Sequence, residues 1–225
     1  MIKRAVGVCV VILGILLIAG AAGLTTWNIQ TDNTAGQTNE ELIVKVIEAI
    51  NKVNEERAEE EDGTVSFLPG IYTPDFTPGG VYNTEPELKL VIVDGREYIG
   101  LLSIPILGLE LSVMKQCDDK SVDTAPGRWF GSPYKNGFVI GGHNYRSHLG
   151  KIDRLRAGDV ITFTDMTGRN FTYEVVGQEL LNADQGDILR DEEWDLSLFT
   201  CTLAGNRRIV VRSLLVSSSE GSMDR

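Results

Sequence analysis

Two histidines and three cysteines are all that the chain carries of its strongest nucleophilic and proton-carrying side chains. Three separated pieces hold the ones that could work together: Gly141-Gly142-His143-Asn144, Thr200-Cys201-Thr202 and Arg207-Arg208. A thiol, an imidazole and a guanidinium are the parts that acyl transfer through a cysteine requires: a nucleophile, a proton carrier and a partner for the oxyanion. His143 follows the apolar run Gly137-Phe138-Val139-Ile140 and a glycine pair, so it sits where a strand leaves a sheet. Cys201 ends a strand containing Leu198 and Phe199, and Arg208 opens the next strand after six intervening residues. That spacing places Cys201 and Arg208 opposite each other on adjacent antiparallel strands. Singly, each residue has a plain reading as a loop imidazole, a core thiol and a surface charge; their joint fit to a catalytic constellation is what singles them out.

The elements that must position these residues alternate with period two. Leu88 to Val93, Asp94-Gly95 and Glu97 to Ile104 read as a hairpin with a primed turn. Further strands are expected over 107–113, 137–140, 159–164, 171–176, 197–202 and 208–216, with a turn at Asp165-Met166-Thr167-Gly168-Arg169. Seven or eight short strands in about 130 residues indicate a mainly β domain, a sandwich or a barrel.

The N-terminal part is different. Ala5 to Leu24 is an uncharged apolar stretch preceded by Lys3 and Arg4, with no further charge before Asp32. It is long enough to cross a bilayer as one helix, and the positive flank predicts a cytoplasmic N-terminus with the remainder outside. Its length favours a retained anchor over a cleaved signal peptide, although Ala19-Gly20-Ala21 would suit a signal peptidase. Trp27 to Gln37 reads as a polar linker. Thr38 and Glu41 fit a capping box, and Leu42, Ile43, Val46, Ile47, Ile50 and Val53 then form an apolar stripe expected to pack on the β domain. Residues 64–86 hold Pro69, Pro74, Pro78 and Pro86 and read as an irregular arm, expected to lie beside the β domain. The boundaries are therefore an anchor over 1–26, a linker, helix and arm over 27–86, a β domain over 87–217 and a tail over 218–225.

Composition narrows the partners. The chain has 21 Lys+Arg and 32 Asp+Glu; without Lys3 and Arg4 the external part stands at 19 against 32, a balance of −13, which argues against a nucleic-acid partner. Cys9 lies in the apolar span, leaving Cys117 and Cys201 outside. Those two could form a disulfide, but no dense cysteine framework supports one. Cys117 then reads as a small buried residue or a loop thiol. Asp118, Asp119 and Asp123 read as solvated loop charges, since their spacing is not that of a calcium loop.

On these residues the chain resembles the sortases. Ser197-Leu198-Phe199-Thr200-Cys201 is similar to the Thr-Leu-x-Thr-Cys signature, with serine in place of the first threonine, and Arg208-Ile209-Val210-Val211 resembles the arginine-opened final strand. Gly142-His143-Asn144-Tyr145, with Ser147 to Ile152 and Ala157 to Ile161, resembles the histidine segment, and Tyr98 to Pro105 the opening strand pair. The helix and arm ahead of the β domain resemble class B-like members, whereas the short connection from Cys201 to Arg208 carries no long insertion. The resemblance implies an eight-stranded sortase-type barrel with its groove on the outer face. It implies Cys201 as nucleophile on a sorting-signal peptide, His143 as acid and base in preference to His148, and Arg208 as oxyanion partner. Thr200 and Asn144 would contact the peptide, and the acceptor would be water or an amine of a cell-wall precursor or pilin lysine. It calls for no metal and no cofactor. Two other readings share features with it: a cysteine-dependent cell-wall transpeptidase of another fold, and an anchored, non-enzymatic β-sandwich binding module closed by a Cys117–Cys201 disulfide. The first places a histidine shortly before its cysteine, and residues 149–200 contain none.

Overall fold

The computed structural model describes residues 2–62, 88–118 and 121–219, with the helical side chains described from Val11 to Arg57. The expected arm over 64–86 lies outside the described residues. Among the described residues a single α-helix, α1 (Ile2–Asp62), precedes nine strands: β1 (Val91–Val93), β2 (Arg96–Ile104), β3 (Leu109–Met114), β4 (Gly127–Phe130), β5 (Phe138–Gly142), β6 (Val160–Asp165), β7 (Asn170–Asn182), β8 (Leu196–Cys201) and β9 (Arg207–Ser219). Asp94 (φ 49°) and Gly95 (φ 75°) turn β1 into β2, the left-handed pair that the Asp-Gly dipeptide supplies cheaply.

The strands pair in the order β1-β2-β3-β4-β5-β8-β9-β7-β6, and β6 returns to β2. That last pairing, with Leu102 opposite Phe163, closes eight strands into a ring and leaves β1 as an outer flap. The alternation read from the sequence sorts side chains onto the two faces of the ring. Inside lie Ile99, Leu102, Leu111, Phe138, Ile140, Phe163, Tyr173, Leu198 and Val211, all buried. A smaller cluster of Val139, Leu181, Leu189, Phe199 and Val210 lies on the other face. It is covered by the 3-10 turn Gly186–Arg190, whose Leu189 is buried. β4 was not expected. It spans four residues between Pro126 and Gly131, too short to show a period, and Gly127 is needed because a Cβ there would lie 2.1 Å from the Gln116 carbonyl oxygen.

α1 corrects the expected linker and cap. Trp27 to Gln37 continues the helix, and Thr38 donates its hydroxyl to the Thr34 carbonyl (2.9 Å) instead of capping a new start. Thr25, Thr26, Thr31 and Thr34 do the same one turn back, which satisfies their hydroxyls inside a polar helical stretch. Polarity in this stretch therefore marks an exposed helix face, and no proline interrupts it. The expected apolar stripe does pack on the ring: Leu42, Val46 and Ile50 are buried against Val93, Tyr98, Leu101, Met114 and Met166.

Polar ties extend this contact in both directions. The Asn39 amide donates to the Glu110 carbonyl (2.7 Å), and Lys45 pairs with Asp94 (2.5 Å). Towards the N-terminus, the Asp32 carboxylate accepts from the Ser147 backbone N–H (3.1 Å) and hydroxyl (3.0 Å).

Candidate functional site

Three neighbouring strands carry the three residues singled out in the sequence. β5 runs parallel to β8, with Gly142 opposite Thr200, so the next residues, His143 and Cys201, leave the sheet at one level. β8 runs antiparallel to β9, with Cys201 directly opposite Arg208. Adjacent strands stand about 4.8 Å apart, so the backbone positions of His143, Cys201 and Arg208 form a row about 10 Å long. Cys201 is exposed and free. Arg208 leans across the outer face, its guanidinium donating to the Ala183 carbonyl and lying 5.9 Å from the centre of the Phe199 ring.

Register also decides which face is which. Ile209 and Val211 turn into the interior cluster, while Val210 joins the outer one, so Arg208 shares the outer face with Val210 and Arg212. Arg212 is only 4% exposed although it is on that outer face. It lies under the Gly186–Arg190 turn, outside the ring. There its guanidinium donates to Glu179 (2.6 Å), the Ser197 hydroxyl (2.8 Å) and the Ile188 carbonyl (2.8 Å), which satisfies the charge.

Thr200 requires a correction. It is 1% exposed, and its hydroxyl donates to the Gly142 carbonyl (2.9 Å), so it ties β8 to β5 behind the site and does not face a peptide. Asn144 borders a hollow of about 720 Å³ between α1 and the turn after β8, shared with Asn28, Ile29 and Leu203.

Asp123, read from the sequence only as a solvated loop charge, is a partner of the site. Its carboxylate lies 2.9 Å from His143 Nε2, so the loop before β4 supplies the imidazole with a hydrogen-bond partner. Nothing in the run Ser121-Val122-Asp123-Thr124 marks it, because the contact joins residues twenty positions apart. Tyr145 stacks beside the same imidazole, with ring centres 4.9 Å apart, and against His148 on its other side at 5.4 Å.

The second histidine and the second external thiol are unsuited to the chemistry. His148 is fully buried, neither ring nitrogen has a hydrogen-bond partner, and burial pushes its pKa down to about 4. Cys117 is a free thiol packed against the outer cluster, and burial pushes its pKa up to about 12, so it stays protonated and a poor nucleophile. Its sulfur sits over Gly141: a Cβ on that glycine would lie 2.9 Å from the sulfur and 2.4 Å from the Phe199 ring. The first glycine of the pair before His143 is thus a place of close approach.

Comparison with known proteins identifies the architecture. The Sortase domain family model matches residues 102–216, just over half of the chain. The chain belongs to the sortase family, whose members are cysteine transpeptidases. It is 25% identical to Sortase A of Bacillus anthracis over 180 residues, which covers 76% of this chain and 80% of that one. Among solved structures it is similar in fold to Sortase A of Listeria monocytogenes (TM-score 0.53, 16% identity, covering 56% of this chain and 92% of that one). It is also similar to the SrtA sortase of Actinomyces oris (TM-score 0.52, 21% identity, covering 64% and 92%).

Proposed function

We propose that the protein is a membrane-anchored sortase that cleaves a C-terminal sorting signal through a thioacyl-enzyme and transfers the new carboxyl end to an amine. The observation that carries this reading is the row of His143, Cys201 and Arg208 across β5, β8 and β9.

The Cys201 thiol passes its proton to His143 and the sulfur attacks the scissile carbonyl, forming a C–S bond and an oxyanion, which Arg208 stabilises. Collapse of that intermediate breaks the C–N bond, and His143 delivers a proton to the leaving amine. The incoming amine of a cell-wall precursor or pilin lysine then attacks the thioester. His143 takes its proton, the amide forms and the thiol is regenerated; water in place of the amine gives hydrolysis.

Asp123 holds His143 through Nε2 and leaves Nδ1 for the reacting groups. Residues 5–24 anchor the chain, with Lys3 and Arg4 on the cytoplasmic side and the ring outside. The free state of Cys117 and Cys201, together with closure of the sheet into one ring, weighs against the disulfide-closed sandwich.

The test is acylation by a library of sorting-motif peptides, read by intact mass. A thioacyl adduct should form on the native chain and on the Cys117→Ala variant but not on Cys201→Ala. Turnover by Cys201→Ala would overturn the reading.

A further inference from the structure

The contacts that dock α1 on the ring place the catalytic edge at one end of the helix. Asn54 approaches the turn after β6, its amide 2.7 Å from the position that a Gly168 Cβ would occupy. Lys45 meets Asp94 at the β1–β2 turn, Asn39 meets β3, and Asp32 holds Ser147 in the segment after His143. Down this series the partners move from the far side of the ring towards the site. Lowest of all, the turn after Cys201 faces the helix across a hollow that Leu203 borders together with Asn28 and Ile29.

Helix geometry turns this order into heights. With the apolar segment ending at Leu24, a rise of 1.5 Å per residue puts Asn28 and Ile29 about 6–8 Å above the hydrocarbon edge, Asp32 about 12 Å and Lys45 about 32 Å. The headgroup layer is about 5–8 Å deep on each side of a bilayer. Leu203 is therefore level with its outer part.

Its chemistry suits that layer. Leu203 is 94% exposed, Trp27 75% and Ile29 56%, so three large apolar side chains are presented at one level. Arg146, exposed on the rim of the same hollow, adds a cation where lipid phosphates lie. Leucine at the tip of a turn whose neighbours are Thr202, Ala204 and Gly205 packs on no core. A tryptophan just past the apolar segment belongs to an interfacial belt.

We propose that the turn Thr202–Asn206, with Leu203 at its tip, rests in the headgroup layer of the bilayer that α1 crosses, and that the docking of α1 on the ring fixes the height at which Cys201 works. The inference rests on the anchored reading given above, though not on the chemistry assigned to Cys201.

The experiment uses the full chain with Cys9, Cys117 and Cys201 changed to Ala, so that one introduced thiol can be labelled. Leu203→Cys carries a fluorophore in one variant, and Ile92→Cys, beside the Asp94 turn, in the other. Both are reconstituted into phosphatidylcholine vesicles containing phosphatidylglycerol and a headgroup-nitroxide lipid. The label at position 203 should lose most of its emission to the nitroxide, while the label at position 92 keeps its own. Inserting eleven polar, helix-forming residues after Leu24 adds about three turns and lifts the ring by about 16 Å, which should restore the emission at 203. Unquenched emission at 203, equal quenching at 203 and 92, or quenching that survives the insertion would each overturn the proposal. Because the thiol of Cys201 is absent throughout, none of these outcomes depends on whether the peptide assay succeeds.

Discussion

Replacing Thr200 with valine tests whether the site is held from behind. Valine keeps the shape of threonine and replaces the hydroxyl with a methyl group, here against the Gly142 carbonyl at a place 1% exposed to solvent. Gly142 itself is half-buried, and leaving its carbonyl without this donor costs about 1–3 kcal/mol. For a chain of this size that is a fall of roughly 3–9 °C in Tm. Gly142 is the last residue of β5, and His143 follows it directly. Loosening the tie therefore frees the imidazole to drift from Cys201. If the full cost appeared in positioning, the acylation rate would fall between about fivefold and about a hundredfold.

The assay is single-turnover cleavage of a quenched fluorescent sorting peptide, with a thermal melt run in parallel. Because Thr200 has no exposed surface for a peptide to touch, kcat should fall while KM changes little. Thr200→Ser keeps the hydroxyl and should recover most of the rate. A Thr200→Val variant with unchanged rate and Tm would refute the reasoning. So would a serine variant as impaired as the valine one.

Three further outcomes follow from the same geometry. His148 is buried neutral with its pKa lowered to about 4, whereas the unfolded chain protonates it near 6.5. Stability should therefore be unaffected by this group above pH 6.5 and fall as pH drops towards 4, by at most about 3 kcal/mol, and His148→Phe should flatten that limb of a denaturation-against-pH curve. Arg208→Lys should cost much of kcat because the planar fork is lost, while the exposed Arg207→Lys should cost little; equal small losses in peptide cleavage would move the oxyanion role to backbone amides. Arg212→Met would leave Glu179 and the Ser197 hydroxyl without their shared donor and should lower stability by about 2–3 kcal/mol in urea denaturation, a buried pair's cost reduced because Glu179 is partly exposed.

The ring was legible wherever one face of a strand meets the interior, because alternation there is imposed by burial. β6 and β7 announce themselves in this way, β2, β3, β5, β8 and the buried part of β9 do so as short apolar runs buried on both faces, and the Asp94-Gly95 turn through its backbone demands. β4 did not, since four residues with a glycine and an arginine carry no period. The join between the apolar segment and the amphipathic helix was misread for a related reason. A polar run says that a face is wet and does not say that the backbone has stopped being helical, and here threonine hydroxyls bonded one turn back keep that face satisfied. Thr200 was recognisable as part of a signature but not as a buried tie, because a motif records which residues recur and not which way they point.

Distance along the chain says little about how the site comes together, and register says almost everything. His143 and Cys201 are far apart in sequence and neighbours in space because β5 and β8 run parallel with Gly142 opposite Thr200. Cys201 and Arg208 are close in sequence, but their meeting depends on an antiparallel pairing that a one-residue slip would destroy by turning Arg208 into the ring. The same pairing places Ile209 and Val211 inside, so burying them and aiming Arg208 outward are one event. Asp123 enters from a loop bound by no such register, and for that reason only the folded chain could reveal it. Its 2.9 Å contact completes an order that runs carboxylate, imidazole, thiol, guanidinium across the outer edge. On the proposed function, an incoming amine would lose its proton to the second member of that row while it attacks the carbon held at the third.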